Sequence, residues 1–370
     1  MDSWKISRRE LAKYLAGLGA VMGLNSTGLQ ASNASALRAA NTGESTSLPS
    51  DAVVKNAQET SRSAPKKMIW AYLAHLSFSM WYDREAPEEP LEYMSAKPYL
   101  RFDMDFWHEL TQEMAEAGLN MVVIDLGDGV KYDGHPEIAV QGAWSVNQLR
   151  QELTGLRKLG LEPIPKLNFS TTHNAWLGPY SRCVSSDTYY RVCKDLILEI
   201  IQIFGKPRFF HLGMDEETTE HQRYYEYMVV RQYDLWWHDF YFLADAVEKG
   251  GARPWVWSDY LRHHPEVFFK KMPKSVLQSN WYYGQLFNEK VTQAKAYLDL
   301  EANGYDQIPT GSNWSYPDNF QDTIDYCTVH IAPKRLFGFL QAPWKPTLAE
   351  RRYRHLEAID LVRQAIAKAR

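Results

Sequence analysis

The chain has 370 residues, 45% of them hydrophobic and 14% aromatic, enough to bury a sizeable core in one large domain or two smaller ones. Its formal charge of -4 argues against a nucleic-acid partner. The three cysteines, Cys183, Cys193 and Cys327, are odd in number and lack metal-ligand spacing, which excludes a disulfide framework and leaves them as core residues.

Residues 1–36 read as a targeting segment. Ser7-Arg8-Arg9-Glu10-Leu11-Ala12-Lys13 has the form of a twin-arginine export motif, Leu15 to Leu24 is apolar, and Ala34-Ser35-Ala36 offers a small-residue cleavage site. The apolar stretch is shorter than the ~20 residues that span a bilayer, so no stable membrane span is expected in the mature protein. Export by this route implies a periplasmic or cell-surface location. Residues 37–66, rich in Ser, Ala, Thr and Asn without apolar periodicity, read as a disordered linker.

From residue 67 to 370, apolar runs alternate with helical patterns. The predicted strands are Met68–Leu76, Met121–Asp125, Pro163–Phe169, Arg208–Met214, Pro254–Ser258, Val276–Asn280, Ile308–Asn313 and Phe337–Ala342. Phe106, Leu110, Met114 and Ala117 mark one intervening helix, and Val192, Leu196 and Ile200 another. Thr347-Leu-Ala-Glu350 reads as a capping box opening the last. His221 to Val247 gives a long aromatic helical pattern in which Trp236 and Trp237 are core residues. Eight strand-helix rounds predict a single α/β domain, a (β/α)8 TIM barrel. A doubly wound sheet fits less well, because no Gly-rich phosphate loop follows the first strand.

Barrel chemistry gathers where strands end. Those ends carry His75, Trp81, Tyr82, Asp125, Asp128, Lys166, Asn168, His173, His211, Asp215, Glu216, Trp257, Asp259, Asn280, Trp281, Tyr282, Tyr283, Asn313, Trp314, Tyr316, Gln341 and Trp344. Aromatic faces beside acids and amides are the inventory of a carbohydrate site, so an oligosaccharide or glycan is the expected partner. No His-x-His or His-Glu-x-x-His spacing is present, and neither a metal nor another cofactor is expected.

The run Phe209-Phe-His-Leu212 ends in Asp215, Glu216 and Glu217. Glu216 suits a general acid, and Glu217 suits the first turn of a following helix. The late strands end without a carboxylate, which favours a reaction whose nucleophile is the substrate's own 2-acetamido group. Asp215 beside Glu216 then supplies an orienter, and closeness of the two acids would keep one protonated. The alternatives are a second protein carboxylate, Asp259, Asp125 or Asp128, acting on a sugar without an acetamide, or a barrel that binds sugars without turnover. Neighbours on a regular strand face opposite ways, so Asp215 and Glu216 can share a pocket only if the strand ends or bulges at Met214.

His211-Leu-Gly213-Met-Asp215-Glu216 resembles the His-x-Gly-Gly-Asp-Glu signature of glycoside hydrolase family 20, the β-N-acetylhexosaminidases. The resemblance implies a retaining, substrate-assisted glycoside hydrolase with Asp215 as acetamide orienter and Glu216 as acid/base. It further implies that Trp257, Trp281 and Trp344 enclose the sugar and that Tyr282 bonds the acetamide. Met214 departs from the family's second Gly, no arginine follows the first strand, and Trp344 precedes Lys345 where the family has Glu.

Overall fold

A computed structural model describes residues 68–84 and 94–369. The expected export segment and linker lie outside the described residues.

The strands are β1 (Ile69–His75), β2 (Met121–Asp125), β3 (Val130–Lys131), β4 (Trp144–Ser145), β5 (Glu162–Lys166), β6 (Phe209–His211), β7 (Arg253–Trp257), β8 (Leu277–Ser279), β9 (Thr310–Gly311) and β10 (Gly338–Gln341). Eight of them pair in parallel in the order β8-β7-β6-β5-β2-β1-β10-β9, while β3 and β4 form a separate pair. Hydrogen bonds from Ile308 N to Gln278 O (2.9 Å) and Thr310 N to Asn280 O (2.9 Å) join β8 to the β9 segment and close the ring. Helices α1 (Met104–Glu116), α2 (Val146–Lys158), α3 (Asp187–Ile203), α4 (Tyr233–Gly250), α5 (Asp259–His263), α6 (Pro265–Lys271), α7 (Thr292–Ala302), α8 (Asn319–His330) and α9 (Arg352–Ala369) fall between successive strands and after the last. The fold is the (β/α)8 barrel that the sequence predicts.

Alternation along each strand divides the core into two layers. In β1, Ile69, Ala71 and Leu73 join Met121, Val123, Ile164, Phe209 and Trp255 inside the barrel. Trp70, Tyr72 and Ala74 point the other way and pack with Val122, Ile124 and the helices. Trp236 and Trp237 belong to this outer layer, as expected. Side-chain caps start three of the helices: Asp103, Ser145 and Ser186 accept from the amides of Phe106, Gln148 and Tyr189.

Two local expectations fail for physical reasons. The first part of the segment expected to be helical, from His221 to Gln232, is irregular, because its polar groups serve the site described below; α4 begins at Tyr233. The Thr347 capping box does not form either. Thr347 Oγ1 donates instead to the His75 carbonyl (2.8 Å), tying the end of β10 to that of β1, and α9 starts at Arg352.

His355 anchors α9 to the barrel. Its Nε2 donates to the Pro346 carbonyl (3.0 Å), which fixes Nδ1 as the acceptor for the Tyr72 hydroxyl (2.7 Å). Burial, assisted by the Lys345 charge and opposed by the Pro346 bond, holds this imidazole down at about pKa 4. The unfolded chain takes up a proton there near pH 6.5, so folding stability declines as pH falls from about 6.5 toward 4. Denaturant melts across that window should show a smaller decline in His355→Gln than in the parent.

Candidate active site

β6 stops at His211, and the chain then turns sharply. Gly213, Met214 and Glu216 have φ of +74°, +73° and +54°. This left-handed path abolishes the strand alternation, and Asp215 and Glu216 reach the same imidazole: His173 Nε2 lies 3.2 Å from Asp215 Oδ2 and 3.2 Å from Glu216 Oε2.

The turn is gripped by the segment that follows β5. Asn168 Nδ2 donates to Asp215 Oδ1 (2.9 Å), and its Oδ1 accepts from Met214 N (3.3 Å) and Ser170 N (3.1 Å). Ser170 Oγ donates to the Asp215 carbonyl, and Thr172 Oγ1 donates to the Glu216 carbonyl (2.6 Å). Glu217 accepts from Thr171 N (3.1 Å) and pairs with buried Arg231, which also bonds Asp239 (3.2 Å) and the Phe169 carbonyl (2.9 Å). Glu217 is structural, as the sequence suggests, though through this buried ion pair and not through a helix terminus. A Cβ on Gly213 would sit 1.8 Å from Asn168 Oδ1, so no side chain fits there while Asn168 holds Asp215.

Asn168 and His173, expected to contact substrate, spend these polar atoms on the acids. His173 also changes the charge state. Burial alone would lower its pKa, but the Asp215 and Glu216 carboxylates outweigh burial and hold the imidazolium up to about 10. Burial pushes both acids up, and the cations overcome it: His173 and Lys166 hold Asp215 well down, and His221 with His173 holds Glu216 down. The resting site is therefore an ionised pair bridged by a cation, not two acids sharing one proton. His221, which the sequence reading missed, places Nε2 3.5 Å from Glu216 Oε1. His173, Asp215 and Glu216 offer atoms within 4.8 Å of one another, a set that can ligate a divalent cation when His173 is neutral.

Aromatic rings adjoin the acids. Trp81, which the sequence also places beyond the first strand, lies 5.9 Å from His173 and 6.2 Å from Trp344. Trp344 is also 6.0 Å from Trp257 and 5.6 Å from His75, and its Nε1 donates to the Tyr283 hydroxyl (2.9 Å). Trp257 packs 4.4 Å from His211. Trp281 stacks on Tyr283 (5.0 Å) with the Arg262 guanidinium 4.0 Å from its ring centre. Trp281 is thus braced in the wall by Tyr283 and Arg262.

One further expectation is corrected. Tyr282 packs on Phe287 (5.1 Å) in the outer layer; its neighbour Tyr283 joins the cage. The Trp314 backbone N donates to Ser312 Oγ (2.9 Å) and its carbonyl accepts from Arg354 (3.3 Å). Of the alternative carboxylates, Asp125 is ion-paired to Lys166 inside the barrel, and Asp128 accepts from Ser77 on the β1 side. Asp259 accepts from Trp281 Nε1 (2.8 Å) near Arg262 (3.5 Å). Burial pushes Asp259 up to about 7 against Arg262, with Asp215 and Glu216 adding to the rise, so it belongs to the same electrostatic site.

The fold and site together define a (β/α)8 barrel with an acid pair at its mouth. Solved structures with this barrel include a β-N-acetylhexosaminidase from Bacteroides fragilis (TM-score 0.54, 14% identity, 80% of this chain and 65% of that one). They also include a family 20 exo-β-N-acetylglucosaminidase from Vibrio harveyi in complex with N-acetylglucosamine (0.56, 14%, 81% and 54%) and the family 20 β-N-acetylhexosaminidase of Streptomyces coelicolor (0.53, 14%, 80% and 64%). The chain thus spans less than two thirds of the length of these three proteins. No family model matches the chain, and neither does any curated protein.

Two predictions follow from the geometry. Gly213→Ala, which meets both a positive φ and Asn168, should lower stability and detach Asp215 from its holder; a reduced thermal midpoint with lost ligand binding checks it. The folded chain keeps the His173 proton to about pH 10, whereas the unfolded chain releases it near 6.5. Stability should therefore decline between about pH 6.5 and 10, and less steeply in His173→Gln, read from melts at stepped pH.

Proposed function

We propose that this protein is an exported glycoside hydrolase that releases a terminal 2-acetamido sugar by a substrate-assisted, retaining reaction. The observation that carries the proposal is the convergence of Asp215 and Glu216 on His173, with Trp81, Trp257 and Trp344 beside them.

Asp215, an ionised acceptor held by Asn168 and His173, takes the acetamide N–H and turns the acetamide oxygen toward the anomeric carbon. That oxygen forms a bond to the anomeric carbon as the glycosidic bond breaks. The leaving oxygen needs a proton, and the resting site stores one on His173, 3.2 Å from Glu216. Its transfer to Glu216 makes the acid, which passes it to the leaving oxygen. Glu216, now ionised, takes a proton from water as the water oxygen attacks the anomeric carbon and the acetamide departs; the two inversions give retention. The rings supply flat apolar faces for the sugar. His75 and His211 are buried at the ends of β1 and β6, and the twin-arginine pattern supports delivery to the periplasm or cell surface.

A second reading has one observation in its favour. Asp259, held up at about 7 in the same electrostatic site, has the titration of a general base, and it would serve on a sugar lacking the acetamide.

Aryl N-acetylglucosaminide, aryl N-acetylgalactosaminide and unsubstituted aryl hexosides separate the two. We expect turnover of N-acetyl substrates only, a loss of about 10²–10⁴ in kcat for Glu216→Gln on poor leaving groups, and a comparable loss for Asp215→Asn. Turnover confined to unsubstituted sugars that is abolished in Asp259→Asn would replace substrate assistance with the second reading. Wild-type protein inert toward every one of these glycosides would defeat both.

A further inference from the structure

The atoms that converge on the acid pair have the spacing of a metal site. Asp215 Oδ2 and Glu216 Oε2 each lie 3.2 Å from His173 Nε2, and the ligand atoms of the three residues all fall within 4.8 Å of one another. Zinc bonds to nitrogen and carboxylate oxygen run about 2.0–2.2 Å, which sets tetrahedral neighbours about 3.3–3.6 Å apart. The separations from His173 are therefore close to those that a single ion would impose. Among the described residues this is the one such set of His, Cys, Asp or Glu. No local motif announces it, since His173 precedes Asp215 by 42 residues.

The set is open on one side and backed on the other. The Glu216 and His221 side chains are 24% and 33% exposed, whereas those of His173 and Asp215 are 3% and 8% exposed, so an ion enters past Glu216. Asn168 Nδ2 donates to Asp215 Oδ1 (2.9 Å), which leaves Oδ2 on the His173 side. His221 Nε2 stands 3.5 Å from Glu216 Oε1, and its Nδ1 is hydrogen-bonded with Thr218 Oγ1 (2.7 Å); Glu216 Oε2 is left facing His173. Outer partners of this kind orient metal-binding carboxylates.

Donor chemistry selects the ion. One imidazole nitrogen with two carboxylate oxygens suits the zinc class, whereas magnesium and calcium favour larger, all-oxygen shells. We propose that His173, Asp215 and Glu216 bind one zinc-class divalent cation, and that its occupation switches the acid pair off. The switch, though not the site, rests on the proposed function. Binding forms bonds from the ion to His173 Nε2, Asp215 Oδ2 and Glu216 Oε2, and it releases the Nε2 proton to solvent. The proton that Glu216 would pass to the leaving oxygen is then gone, and both carboxylates are engaged. Ion and sugar therefore exclude each other.

The test uses the full chain, freed of metal by a chelator and desalted, with Zn²⁺ followed by calorimetry and Co²⁺ by visible absorption. We expect one ion per chain and a Co²⁺ spectrum of low coordination number. Zn²⁺ affinity should fall about 100-fold or more in His173→Gln and Asp215→Asn, and about 10-fold in His221→Ala, each verified as folded by its thermal midpoint. His221 lies outside the clasp, so its variant reports on the ion even where a ligand variant unfolds. No binding by the parent overturns the site, as does affinity unchanged in the folded variants. Turnover of an aryl N-acetylglucosaminide should stop as Zn²⁺ binds, with the sugar competing, and return with chelator. Turnover that persists with the ion bound overturns the switch and leaves the proposed reaction standing. Ion binding with these losses in a protein inert toward every glycoside keeps the site and removes the reaction.

Discussion

The clasp between the segment after β5 and the turn after β6 is the interaction on which the site depends. Two adjacent carboxylates, largely withdrawn from water, repel each other and lose hydration, and neither cost is met by anything on β6 itself. Asn168, Ser170, Thr171, Thr172 and His173 meet it from the neighbouring strand end, alternating bonds to side chains and carbonyls of Asp215, Glu216 and Glu217. Arg231 closes the far side through Glu217. The strained φ values at Met214 and Glu216 persist because these bonds over-determine the turn. Glu217 secures the backbone that aims Asp215 and Glu216 at the same imidazole.

The barrel was legible in the sequence because a strand buried on both faces must be an unbroken apolar run, and eight such runs recur between helical patterns. Their ends were less legible. The fourth run continues apolar to Met214, but β6 stops at His211, since Gly213 and Met214 leave the β region to carry the acids inward. The apolarity of Met214 reports burial, and burial does not distinguish a strand from a tight turn. Thr347 and Glu350 have the spacing of a capping box, but a carbonyl at the end of β1 competed for the threonine. Local rules cannot see such a rival.

The acid pair was visible from its abrupt placement after an apolar run, and several partners were visible as strand-end residues. Their division of labour was hidden. Tyr282 and Tyr283 are interchangeable in composition, and one step of the chain decides which enters the cage. Trp81 was visible beyond the first strand, but its approach to His173 was not. His221 sits in a segment that mimics a helix. The ionised state of the acids also depends on His173, 42 residues before Asp215, whose approach is a product of topology.

The tie from α9 to Tyr72, and the bond from Thr347 to the His75 carbonyl, bear on the order in which the molecule is completed. β1 and β10 pair through Ile69 and Gly338, so the ring cannot close until the segment carrying β10 has been synthesised. Such distant pairing makes for slow folding and leaves the edges of β1 and β10 open meanwhile, a template for association with other chains. The last helix removes that exposure by pinning both edge strands at once. Completion of the barrel mouth thus awaits synthesis of β10 and α9, and a chain lacking them would present aggregation-prone edges before Asp215 and Glu216 could be framed.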